Sequence, residues 1–406
     1  DVSKGGVVEM FNNKTNERKV YSDIGAGDGK GAEFPKLTYN NLKAKFDTEA
    51  KVNALFDATD TTEAKEYLNW AKGITSQTDS DDSDSTYTLR KKLFGDPLHS
   101  KPVVLNYGGT SENQDVRILV GTNAGVLHMF KDEGNKVDES WAFMPTEFFS
   151  NIKTLKENLP TSNKVYGIDG RITAHIVDKG GDGTIDIGED TAWVFFGLRR
   201  GGSSYYGLDV TDPDTPKLLW KITAGTEGFD KLGQTWSQPQ VGYSKYNVAG
   251  VPKPVLIFGA GYSTAKDRPG PYTSDSVGTG IYMVDAESGQ LLWSTTPADT
   301  SAINTQFSGF TDSIPSKIAI LDSDADGLID RLYTGDTGGN IFRIDMPGNK
   351  PFDTSGSPWT VFKLAELGGE STNDRRFFNA PSIVRTFFTD TIQSTTDVTK
   401  FTRQET

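Results

Sequence analysis

Short apolar runs broken by glycine and alternating with polar positions recur along the chain. This period-two pattern predicts strands, not helices. One unit repeats: an apolar triplet, a glycine, three variable residues, a second glycine, then an alternating strand. It reads Ile118-Leu-Val-Gly121-Thr-Asn-Ala-Gly125-Val-Leu-His-Met-Phe130, and again Val194-Phe-Phe-Gly197-Leu-Arg-Arg-Gly201 leading into Tyr205–Asp209. A third copy is Leu256-Ile-Phe-Gly259, with a long insertion before Gly280–Asp285, and a fourth runs from Leu332 through Gly335 and Gly339 to Asp345. An earlier strand precedes each copy (Pro102–Leu105, Ile172–Ile176, Pro239–Gly242, Ile318–Leu321), and a tryptophan strand follows, with Trp141, Trp220, Trp293 and Trp359. Four strands per unit at intervals of roughly 60–75 residues predict an all-β fold, a modified β-propeller with inserted loops.

A fifth unit begins at Asn379–Val384, so residues 375–406 read as an incomplete last blade, with Val7–Phe11 and Lys19–Tyr21 as N-terminal strands available to close it. Residues 1–406 thus read as one propeller domain, with a small helical decoration inside an insertion at 41–95. There Asp60-Thr-Thr-Glu63 is a capping box ahead of Ala64, Tyr67, Leu68 and Ala71, and Gly73 ends the helix. The acidic, serine-rich run 76–86 reads as a solvated loop.

Composition narrows the function classes. Lysine and arginine total 42 against 55 acidic residues, a net charge of −13, which argues against a nucleic-acid surface. The absence of cysteine excludes disulfides, zinc thiolates, iron–sulfur clusters and thiol catalysis. No apolar run approaches the roughly 20 residues needed to span a bilayer. The three histidines are scattered, and no G-x-S-x-G motif accompanies them. His128 and His175 read as structural strand residues. Arg199-Arg200 could bind an anion, although solvated turn arginines are commoner.

The sharpest chemical signal is Asp322-Ser-Asp324-Ala-Asp326-Gly327-Leu328-Ile-Asp330. Carboxylates at relative positions 1, 3, 5 and 9, a turn glycine at 6 and a carbonyl at 7 suit a hard cation that takes six to eight oxygens, so Ca²⁺ is expected on Asp322, Asp324, Asp326, the Leu328 carbonyl and Asp330. An EF-hand is the wrong context. Position 12 is Tyr333, and the flanks alternate as strands, so the loop is expected to join a β-hairpin. A weaker echo, Asp178 to Glu189, has carboxylates at positions 1, 5, 9 and 12, but Gly180 stands at position 3. Weak metal binding or none is expected there. Asp285-Ala-Glu-Ser-Gly289-Gln-Leu-Leu-Trp293 matches the tryptophan-docking repeat of quinoprotein-type propellers, in which the tryptophan packs between blades.

Several segments in order, Phe94–Pro102, Val120–Phe130, Glu139–Pro145, Gly197–Pro213 and Asp322–Asp330, resemble the C-terminal propeller domain of PilY-type (PilC-type) proteins of bacterial type IV pili. The resemblance covers roughly residues 85 to 345. It implies a seven-bladed modified propeller carrying one Ca²⁺ on the aspartate loop, whose occupancy governs pilus extension and retraction, and with them twitching and surface attachment. It further implies minor pilins at the pilus tip as partners and an extracellular location reached through the periplasm and outer membrane. A host or abiotic surface is a further candidate partner, but host-receptor binding does not carry over with the resemblance, and the chain has no Arg-Gly-Asp motif. Two other functions compete. A quinoprotein-like periplasmic dehydrogenase is disfavoured because that class carries a vicinal cysteine pair. A generic calcium-binding extracellular scaffold is separated from the pilus reading only by the ordered family segments.

Overall fold

Each glycine-punctuated repeat folds into an up-and-down sheet. The computed structural model describes residues 6–15, 17–25, 32–75, 88–90, 93–134, 136–247, 252–268, 273–352, 356–369 and 371–384, with the backbone of 389–393 and 401–405. The acidic run at 76–86 lies outside the described residues.

The chain starts with helix α1 (Val7–Asn13), short strands β1 (Val20–Tyr21) and β2 (Ala32–Glu33), and helices α2 (Tyr39–Phe46), α3 (Glu49–Leu55) and α4 (Thr61–Lys72). Blade 1 is β3 (Val103–Gly109), β4 (Gln114–Gly121), β5 (Leu127–Asp132) and β6 (Val137–Phe143), followed by helix α5 (Asn151–Glu157). Blade 2 is β7 (Ile172–Val177), β8 (Thr191–Gly197), β9 (Ser204–Asp209) and β10 (Lys217–Thr223). Blade 3 is β11 (Gln240–Tyr243), β12 (Pro254–Gly259), β13 (Ile281–Asp285) and β14 (Leu291–Thr296), with β15 (Asn304–Gln306) added in parallel at its edge. Blade 4 is β16 (Ala319–Leu321), β17 (Arg331–Gly335), β18 (Asn340–Asp345) and β19 (Thr360–Glu366). A separate hairpin, β20 (Thr389–Gln393) with β21 (Phe401–Glu405), follows. The described residues form four four-stranded meanders, three of them extended at the outer edge by β1, β2 or β15, together with this hairpin, and the expected count of seven blades is not confirmed.

The repeated glycines 121, 197, 259 and 335 all end the second strand of their blade, as the pattern predicts. They are glycines for one reason. A Cβ at Gly121 would lie 2.6 Å from the Ile168 carbonyl oxygen, at Gly197 2.5 Å from that of Thr235, at Gly259 2.4 Å from that of Ile314, and at Gly335 2.6 Å from the Phe377 Cβ. Every one of these neighbours lies on the segment leading to the next repeat, so the glycine is where one blade's inner edge meets its successor.

The tryptophans hold the outer edges. Trp141 Nε1 donates to the Pro213 carbonyl (2.9 Å) and Trp220 Nε1 to that of Ala286 (2.9 Å), each in a turn of the following blade. Gly289 (φ 69°) lies so close to Trp220 that a Cβ there would approach the ring to 2.6 Å, so the docking motif of blade 3 receives the tryptophan of blade 2. A bulge precedes the tryptophan in three blades, where Ser140, Leu219 and Leu292 are the extra residues of the outer strand. Such an insertion bends the outer strand and increases its local twist. Apolar cores fill the spaces between blades 1 and 2, 2 and 3, and 3 and 4.

The N-terminal region departs from expectation. Val7–Phe11 is helical, and Val20–Tyr21 pairs in parallel with β6 of blade 1, so neither closes a last blade. A single helix was expected in the insertion, but α2, α3 and α4 pack together there, burying Leu42, Val52, Phe56 and Leu68 against blade 1 through Ala142 and Phe149. Asp60 caps α4 by accepting from the Glu63 amide (2.8 Å), and Gly73 (φ 85°) ends it, as predicted. Glu63, however, reaches back to the Thr59 amide (2.7 Å) instead of that of Asp60. The short amphipathic stretches of α2 and α3 are weak helix signals by themselves, and their mutual packing stabilises them.

Candidate metal centre

Strands β16 and β17 pair up to Leu321↔Arg331, so the aspartate loop is the tip of the first hairpin of blade 4, as expected. The Asp322 carboxylate accepts the amides of Ala325 (2.7 Å), Asp326 (3.2 Å) and Gly327 (2.8 Å), winding the loop around it. Ala325 (φ 64°) and Gly327 (φ 84°) supply the left-handed turns this winding requires. From the far end, Asp330 accepts the Ser323 amide (2.7 Å) and hydroxyl (2.5 Å). Carboxylate oxygens of Asp322, Asp324 and Asp330 thereby come within 4.8 Å of one another. Oxygens about 2.3–2.6 Å from a shared Ca²⁺ have this spacing, so the donors fit a hard cation.

Of the other two expected ligands, Asp326 stands apart from that group. Asp326 turns its carboxylate to the Leu328 amide (2.8 Å), and Leu328 itself is half-buried. The sequence reading also missed Lys245, which follows β11 in blade 3. Its Nζ lies 2.6 Å from Asp330 and 3.7 Å from Asp326. Burial would raise the Asp330 pKa, but hydrogen bonds from Lys245 and Ser323 outweigh it and hold the carboxyl at about 2. The Asp330 hydrogen bond in turn raises the pKa of Lys245. No signal in the local sequence links these positions; only the placement of blades 3 and 4 side by side does. The Ile329 amide donates to the Tyr243 carbonyl (2.8 Å), and its buried side chain rests on Gly242, so the loop spans two blades.

The weaker echo lies in the equivalent hairpin of blade 2, between β7 and β8. Asp178 accepts the amides of Gly181 (2.5 Å) and Gly183 (2.8 Å), and Asp182 accepts that of Thr184 (2.8 Å). Ile185 donates to the Asn106 carbonyl of blade 1 (2.9 Å). Asp190, not Asp186, closes this loop by accepting the amides of Lys179 and Asp186 (both 2.8 Å). Among the described residues the only converging acidic or histidine group is that of Asp322, Asp324 and Asp330.

His128 and His175 are placed as strand residues, His128 on β5, buried and bonded to Glu139 (2.8 Å), and His175 on β7, while His99 lies outside the strands beside Asp169 (2.8 Å). The expectation of solvated turn arginines fails. Arg199 and Arg200 are half-buried, with Arg199 4.0 Å from the centre of the Trp236 ring and 3.2 Å from Asp169, and Arg200 paired with Asp267 at 2.9 Å.

A propeller of four-stranded meanders with an aspartate-lined inner hairpin defines the class of protein. Residues 94–364 match the model of the PilY1 beta-propeller domain, and the chain belongs to that family. It is 28% identical over 353 residues to the type IV pilus biogenesis factor PilY1 of Pseudomonas aeruginosa strain PAK, covering 80% of this chain and 26% of that protein. A PilY1 homolog of Xylella fastidiosa strain Temecula1 is 28% identical over 250 residues, covering 58% of this chain and 14% of the relative. The chain therefore spans about a quarter or less of the length of these relatives. The crystal structure of the Pseudomonas aeruginosa PilY1 C-terminal domain is similar with a TM-score of 0.44 at 24% identity, over 67% of this chain and 50% of that one. No helix among the described residues is long and apolar enough to cross a membrane.

Proposed function

We propose that this chain is a calcium-binding, non-enzymatic propeller of a type IV pilus tip-associated factor, and that it controls pilus extension and retraction, twitching and surface adhesion from outside the cell. The observation that carries this reading is the convergence of Asp322, Asp324 and Asp330 on a hairpin that also bonds to the neighbouring blade. Membership of a family whose named members are pilus biogenesis factors supports the pilus setting. Minor pilins are the proposed partners, and a host or abiotic surface the proposed adhesion target. The whole chain is taken to act as one propeller domain.

Asp322, Asp324 and Asp330 would hold the ion, with Asp326 and the Leu328 carbonyl joining after a turn of the loop. Bound Ca²⁺ would neutralise carboxylates that otherwise repel one another. Asp330 is the residue that couples the ion to the fold, because its amide donates to Leu321 (3.0 Å) and its carbonyl accepts from Met346 (2.8 Å). A ligand shifts an equilibrium only through its differential affinity, so calcium would alter pilus dynamics only if partners distinguish the loop's two states. The test is Asp330→Ala in the native bacterium, scored for surface pili and twitching beside calorimetry on the purified chain. Loss of calcium binding together with altered piliation is expected. Lost calcium with wild-type piliation and motility would reduce the ion to a structural clip.

A further inference from the structure

The strand-end glycines define a second feature, at the axis of the propeller. Within each blade, the residue on the other side of the glycine precedes the innermost strand. The Gly121 amide donates to the Ser100 hydroxyl (3.1 Å), and the Gly259 amide to the Ser237 hydroxyl (2.8 Å). Gly170 abuts the Gly197 carbonyl, and the Ser316 hydroxyl donates to that of Gly335 (3.3 Å). The next residue in each blade is therefore one repeat position, and it is Lys101, Arg171, Gln238 and Lys317. All four line one cavity of about 800 Å³. Lys101, Arg171 and Lys317 are exposed within it and have no ion-pair partner among the described residues.

Arg199 and Arg200 line the same cavity from the turn after β8. Their carboxylate partners Asp169 and Asp267 are not part of the lining, and neither is any other acidic residue among those described. The arginines are fixed in place: Arg199 lies over Trp236, whose ring also stacks on Tyr262 with centroids 4.3 Å apart. Phe378, 42% exposed, adds an apolar wall. Five cations facing one concave space without a lining carboxylate stand out in a chain of net charge −13. Concave walls of low dielectric concentrate such a field on whatever enters.

We infer that this axial cavity is a binding site for a small ligand carrying two or more anionic oxygen groups, carboxylate or phosphate. The volume exceeds that of a single phosphate and matches an acidic oligosaccharide end or a phosphorylated metabolite. The wide distribution of the cations over three blades and one turn favours several separated charges over one. The inference does not depend on calcium or on the pilus role.

The test is titration calorimetry on the full chain, in buffer without divalent cations so that the probes are not drawn off by metal. Sodium tripolyphosphate and tri-galacturonate are the two anionic probes, and maltotriose the neutral control, at 50 and 150 mM salt. At least one anionic probe is expected to bind with sub-millimolar affinity and maltotriose not at all; which one binds identifies phosphate or carboxylate as the source. The double variant Lys101→Ala/Lys317→Ala, at exposed unpaired positions, should weaken binding by about 30-fold or more and flatten its salt dependence. The loss should come without change in circular dichroism. Binding of neither probe at 50 mM salt, or wild-type binding by the double variant, would overturn the site.

Discussion

Blades 2 and 4 carry the same loop in the same hairpin, and only one of the two gathers carboxylates. In both, the first aspartate accepts the amides three and five residues on (Gly181 and Gly183, Ala325 and Gly327). In both, the fifth residue accepts the amide of the seventh, and an isoleucine at position eight donates to the innermost strand of the preceding blade. The turn skeleton therefore forms from Asx hydrogen bonds and blade contacts alone. Convergence depends on two further positions. The third residue is Asp324 in one loop and Gly180 in the other, and the loop is closed by the ninth residue, Asp330, in one and by Asp190 in the other, which leaves Asp186 exposed. A calcium-like pattern of glycines and aspartates is thus evidence for a turn. Convergence of carboxylates needs an aspartate at position three and a ninth residue whose carboxylate closes the loop as well.

The largest effect should come from removing the closing residue. Asp330→Ala should weaken calcium binding by about 100-fold or more, since a charged ligand and its hold on Ser323 are lost together. Circular dichroism should stay near wild type, because strand ladders and inter-blade packing hold the blade. Next in size, Lys245→Met should tighten calcium binding by about tenfold, or about 1.4 kcal/mol, because the ammonium no longer competes for Asp330. Unchanged or weaker binding in that variant would remove Lys245 from the account. Gly180→Asp should give the blade 2 loop weak calcium binding, with a Kd of about 10⁻³ M, visible by calorimetry in an Asp330→Ala background. A Cβ at Gly180 meets nothing closer than 3.7 Å, so the substitution tests chemistry and not packing.

The smallest effect is a pH dependence in calcium-free protein. The Asp330 pKa is lowered in the folded state, so its pairing with Lys245 contributes stability above the unfolded carboxyl range, and that contribution is lost as pH falls from about 4 towards 2. For a pair this close to the surface the contribution is about 1 kcal/mol at most. The Tm difference between wild type and Lys245→Met should shrink across that window. A difference independent of pH would exclude the linkage.

The sequence showed the blade pattern well because each blade repeats the same local constraints. Glycine must stand where a Cβ would strike the neighbouring segment, and tryptophan on the outer strand, where the indoles of Trp141 and Trp220 reach a turn of the next blade and that of Trp293 packs on Trp359, so both recur at readable intervals. The aspartate loop was legible for the same reason, its backbone turns being set by its own side chains. What the sequence hid was produced by contacts distant along the chain. Lys245 meets Asp330 across a blade interface, and Arg199 lies over the ring of Trp236, 37 residues further along the chain. The N-terminal segment Val7–Phe11, apolar enough for a strand, forms a helix whose Phe11 packs on Phe130 and His128 of blade 1. Asp326, which spacing puts among the ligands, accepts the Leu328 amide instead of converging with Asp322, Asp324 and Asp330.

The contrast between the two loops is tested most directly by anomalous diffraction from crystals of the wild-type chain soaked in terbium, a heavier stand-in for calcium. The account predicts one strong peak enclosed by Asp322, Asp324 and Asp330, and none between Asp178, Asp182 and Asp186. A peak of equal strength in the blade 2 loop, or no peak at Asp330, would contradict it.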